Sequence, residues 1–174
     1  MNEILRQLAG GDRRSIGNSA GAVRRISRTP SVFPDLFEGM FAADPLIRMR
    51  AADAVEKVTR KRPDLLQPWK KPLLEQLSAL PEKEMRWHIA QIIPRLTLTS
   101  SERDSAVEIL MGYLGDESSI VRTFSMQALA DLAADDARLR LQVTPLIERL
   151  TKTGAPAMRS RGRKLLKQLG NNSS

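Results

Sequence analysis

Four arginines, Arg48, Arg86, Arg122 and Arg159, follow one another at intervals of 38, 36 and 37 residues, each at the same place in a recurring segment. A guanidinium clasps phosphate or carboxylate through paired N–H donors. The series therefore reads as a set of anion contacts or as ties between neighbouring helices, and recurrence at one structural position favours the ties. Arg50 and Arg161 stand outside that register and are the better ligand candidates. His88 is the one histidine, within Arg86-Trp87-His88. A metal centre needs further ligands at compatible spacing, and no His, Cys, Asp or Glu cluster supplies them, so no metal or cofactor is expected. Trp87 falls opposite the apolar stripe of its segment, where an aromatic ring serves as a binding anchor or a stacking platform, or is covered by a neighbouring loop. No serine, histidine and aspartate arrangement recurs, and Gly10-Gly11 lacks the spacing and lysine of a phosphate-binding loop. The residues assign no catalytic role, and a non-enzyme is expected.

The elements that carry these residues are legible from their period. Segments 47–58, 85–96, 121–132 and 158–169 hold an apolar or small residue at relative positions 0, 4, 8 and 11, with the arginine at position 1. On a helix turning about 100° per residue those four positions fall within roughly 80° of one another, one core-facing stripe. The stripes are Ile47, Ala51, Val55, Val58; Met85, Ile89, Ile93, Leu96; Val121, Ser125, Leu129, Leu132; and Met158, Gly162, Leu166, Leu169. Pro72-Leu73-Leu74 and Pro145-Leu146-Ile147 each precede a stripe by the same interval and read as first helices, bent or restarted at the proline. Such hairpins are too small to bury their own apolar faces, so they must stack. The fold class is all-α, a right-handed superhelix of about five hairpins over residues 1–28, 30–61, 63–98, 100–135 and 137–170. The first hairpin is degenerate: Gly10-Gly11-Asp12 would be its turn, and Ser15, Ser19, Val23 and Ile26 its stripe. Residues 171–174 read as a disordered tail, and Pro94 predicts a distortion inside the third second helix.

Cysteine is absent, which removes disulfides and thiolate metal sites. No stretch approaches the ~18 apolar residues of a membrane span, and the N-terminus does not look like a signal peptide, so a cytoplasmic location is expected. The net charge of +8 biases the chain toward anionic partners.

The segment Asp116-Glu117-Ser118-Ser119-Ile120-Val121-Arg122-Thr123-Phe124-Ser125-Met126-Gln127-Ala128-Leu129 resembles a HEAT repeat of the armadillo-like superhelical class, and Asp44 to Ala52 looks like the same turn. The resemblance implies an aspartate and arginine ladder between repeats, carried here by Asp116 and Arg122. It is specific for fold and nearly silent on activity. The expected function is a protein-interaction scaffold whose second helices line the binding surface, with Met49, Arg50, Trp87, His88, Thr123, Gln127, Arg161 and Lys164 as its residues and a protein or peptide as partner. The alternative is nucleic-acid binding through phosphate contacts from the basic patches; a base-excising glycosylase of HEAT-like build is a third, weaker reading.

Overall fold

In the computed structural model the described residues are 2–10 and 17–171, and among them every regular element is a helix. The expected turn at Gly11-Asp12, the stripe position Ser15 and the tail beyond 171 lie outside the described residues. The chain forms two compact units, Met1–Thr97 and Leu98–Ser174.

The first unit holds α1 (Glu3–Leu8), α2 (Ser19–Arg28), α3 (Phe33–Glu38), α4 (Pro45–Thr59), α5 (Lys70–Glu75) and α6 (Lys83–Ile92). Helices α2, α4 and α6 pack in sequence as a layer of second helices, while α1 and α3 cover α4. Helix α4 starts sharply because the Asp44 side chain accepts the Leu46 N–H at 2.9 Å and Pro45, which lacks a donor, takes a first-turn position where none is needed. The first helix ahead of α6 is broken instead. Pro63, Pro68 and Pro72 remove backbone donors in quick succession, leaving a 3-10 stretch, Pro63–Trp69, before the short α5. Trp69 stacks on Phe37 with ring centroids 4.5 Å apart. The distortion expected at Pro94 is a change of helix type: α6 stops at Ile92 and Ile93–Arg95 continues as a 3-10 turn.

The second unit is two hairpins, α7 (Ser100–Tyr113) with α8 (Ser119–Ala133) and α9 (Ala137–Thr153) with α10 (Pro156–Asn171), and α8 packs on both α9 and α10. A reciprocal cap starts α7: Thr99 and Glu102 each accept the other's backbone N–H. Asp136 caps α9 by accepting from Leu139 N–H at 2.9 Å. Pro145 lies inside an unbroken α9 on its exposed side rather than restarting it.

The repeated stripe is the core in both units. Fifteen of its sixteen residues are buried and Leu166 is half-buried. Each fully buried Val, Leu or Ile contributes about 1.5–3 kcal/mol relative to exposure. Gly162 is the stripe's narrowest point. A Cβ there would fall 2.0 Å from the Thr151 hydroxyl oxygen, so only glycine lets α10 lie this close to α9.

Candidate functional site

The second helices of the first unit spend their polar side chains internally. Arg50, expected at the binding surface, is 1% exposed. It follows the α4 stripe closely enough to be covered by α1, and its guanidinium donates to the backbone carbonyls of Leu8, at 2.7 Å, and Gly10. Its position is therefore corrected from ligand contact to a tie between the first hairpin and α4. His88 is also corrected from the surface to the interior. Burial pushes its imidazole down to about 4, against the upward pull of Asp53 and Glu56 and with the aid of Lys57 and Arg60. Its Nδ1 is buried without a hydrogen-bond partner.

Beside it sits a buried ion cluster. Glu56, 2% exposed, accepts from Arg60 Nε and Nη2 at 2.8 and 2.7 Å and from Arg95 Nη2 at 2.5 Å. Arg95 also donates through Nη1 to the Glu56 carbonyl and to the Thr59 hydroxyl, at 2.6 and 2.9 Å. Burial pushes the Glu56 carboxyl up, but these donors overcome it and hold the group below its usual range. Arg95 lies in the 3-10 turn that follows α6, Ile93–Arg95. Asp53 is engaged in turn, accepting from Ser19 Oγ at 2.8 Å and Lys57 Nζ at 2.6 Å on one oxygen. Of the expected surface residues in this unit, Met49 and Trp87 remain half-buried. Met49 lines a dimple of about 40 Å³ with Pro45, Glu82 and Glu84, and Trp87 meets the His88 ring edge-on at 5.5 Å.

The second unit carries a polar network at its surface. Arg161 Nη1 on α10 donates to Gln127 Oε1 on α8 at 2.6 Å. Gln127 Nε2 donates to Asp131 Oδ1 at 2.8 Å, and Gln168 Nε2 reaches the same oxygen from α10 at 3.3 Å. Gln127, Arg161 and Gln168 are half-buried and Asp131 is exposed, so the network lies at the surface. Lys164 is exposed beside it. Thr123 is corrected: it is buried, and its hydroxyl donates to the Ser119 carbonyl at 2.6 Å within its own helix. Asp131 and Gln168 were missed as members of one group. The signal was present, since both occupy relative position 10 of their segments.

The first two arginines of the series are turned inward on the backbone. Arg48 Nη1 donates to the Ala42 and Ala43 carbonyls at 2.7 and 3.1 Å, and Nη2 pairs with Glu82, the residue preceding α6 one hairpin on. Arg86 Nε donates to the Leu80 carbonyl at 3.0 Å. In both, an arginine in the first turns of a second helix reaches the carbonyl six residues earlier, at the end of the first helix. Arg122 is half-buried with no partner for its Nε, while Asp116 accepts the Ser118 N–H at 2.8 Å. Arg159 is exposed.

A larger cleft, about 380 Å³, opens between α7 and α9 on the other side of this unit. Arg103, Arg138, Asp104, Glu108 and Asp136 line it, a mixture of charges that selects no ligand sign.

No protein-family profile matches the chain, and no curated protein matches it by sequence. Among solved structures, it is similar to an engineered protein crystallised as a Northeast Structural Genomics Consortium target. The TM-score is 0.65 at 14% identity, over 97% of this chain and 78% of that one. A designed armadillo repeat protein aligns over 96% of this chain and 98% of its own, with a TM-score of 0.45 and 12% identity. The likeness to the engineered protein establishes the all-helical fold. Among the described residues, no helix is long and apolar enough to cross a membrane.

Proposed function

We propose that this chain is a non-enzymatic, cytoplasmic scaffold of HEAT-like hairpins that holds a protein segment against its second helices, in the second unit. The observation that carries this reading is the surface network of Gln127, Asp131, Arg161 and Gln168. Its amides offer both donors and acceptors at the surface, the combination that pairs with the main chain of an extended polypeptide. The ion pair between Arg48 and Glu82 supports the HEAT-like part, since it ties a repeated arginine of one hairpin to the residue that precedes the next second helix. Panning a random peptide library against the full chain tests the proposal. Enrichment of a consensus that Gln127→Ala with Arg161→Ala abolishes is the expected result; no enrichment at all sinks the scaffold reading.

A further inference from the structure

The whole net charge of the protein resides in its last hairpin. Residues 137–171 contain nine basic side chains and one acidic, Glu148, which equals the chain's +8, so the other 19 basic and 19 acidic residues cancel. Helix α10 carries no acid at all. Its buried residues, Met158, Gly162, Leu165 and Leu169, occupy one side. At about 100° per residue, Arg159, Arg163, Lys167, Lys164 and Arg161 then spread over an arc of about 200° on the other. Arg159, Arg163, Lys164 and Lys167 are exposed, and none of these four forms an ion pair among the described residues.

We infer that the partner segment is an extended acidic polypeptide whose carboxylates lie along α10. The inference rests on the scaffold reading and adds the chemistry of the ligand. Arg159, Arg163 and Lys167 form a row with about 6 Å between neighbours along the helix axis. In an extended chain, side chains on one face recur about every 6.6 Å, so Asp or Glu at alternate positions matches the row. One observation favours a polypeptide over a nucleic acid held by base stacking. Residues 137–171 include no aromatic ring on which a base could stack.

The test is a titration of the full chain with three labelled probes: a dodecapeptide of alternating glutamate and serine, its glutamine and serine counterpart, and a random-sequence DNA duplex. The acidic peptide binds best at physiological salt, and Arg163→Glu with Lys164→Glu and Lys167→Glu weakens it by at least about tenfold. Because these side chains are exposed, the melting temperature stays unchanged; neutral Gln substitutions at the same three positions give an intermediate loss. Tighter binding of the duplex, equal binding of the uncharged peptide, or indifference to the charge reversal overturns the inference. A neutral consensus from the library would overturn it while leaving the scaffold reading intact.

Discussion

Two contacts between successive second helices occupy nearly the same register, one in each unit. In the first unit Arg95 reaches from the segment after α6 to Glu56 on α4; in the second, Gln168 on α10 reaches Asp131 on α8. One is a full ion pair around a carboxylate that is 2% exposed, the other an amide contact to an exposed carboxylate. A charge taken out of water costs several kcal/mol, which is recovered only when its partners are well placed. The contact of the first unit is therefore buried and costly to break, and that of the second lies at the surface in a mutually bonded network. That difference is one ground for placing the proposed binding face in the second unit.

The largest way to break the comparison is Glu56→Ala. It leaves Arg95, four-fifths buried, without its carboxylate, and should cost about 3–5 kcal/mol in urea denaturation. Asp131→Ala should cost less than about 1 kcal/mol. Equal losses would show that the two contacts are not different in kind.

Acid separates the units next. His88 folds neutral, with a pKa near 4 against an ordinary 6.5. Its unfolded form binds the proton first, so its contribution is complete above pH 6.5 and is lost as the pH falls from 6.5 toward 4. The difference amounts to about 3 kcal/mol. Glu56 is depressed as well, so its contribution is present above 4.5 and fails only below that. His88→Leu should flatten the stability profile between pH 6.5 and 4.5 and leave the steeper acid limb. An unchanged slope in that window would place the titrating group elsewhere.

Helix spacing in the second unit is the third target. Gly162→Val drives a side chain into Thr151 and should cost about 1–3 kcal/mol by overpacking, read as a lowered melting temperature. Lys164→Val, on the exposed side of the same helix, should shift it little.

Much of this architecture is readable from residue order. The stripe at 0, 4, 8 and 11 works because burial of one helical face is a local property of spacing, and Asp44-Pro45, Thr99 and Asp136 announce their helices because capping is local too. The proposed binding face is harder to read. Arg50 and His88 have the types and positions of surface groups, but whether a polar residue beside the stripe is wet depends on what covers it. Arg50 is covered by α1, some forty residues earlier in the chain. Arg95 reaches Glu56 from the 3-10 turn at Pro94, a distortion whose presence is legible at Pro94 but whose form is not. In the second unit the outlying arginine Arg161 is only half-buried, bonded to Gln127 of α8.

Asp131 offers the finest discrimination. Its carboxylate is the one negative charge in the network formed with Gln127, Arg161 and Gln168, and it is exposed, so Asp131→Asn should change stability by no more than about 0.5 kcal/mol. The amide keeps an acceptor for Gln127 and Gln168. With the charge gone, an acidic peptide on α10 meets less repulsion, and its affinity should rise by about two- to threefold, an effect that shrinks as salt is added. Asp53→Asn in the first unit removes a charge engaged by Ser19 and Lys57 and should leave peptide affinity where it was. If both substitutions strengthened binding equally, the acidic segment would be responding to net charge rather than to this face. If Asp131→Asn weakened binding, the carboxylate would itself be accepting hydrogen bonds from the peptide main chain.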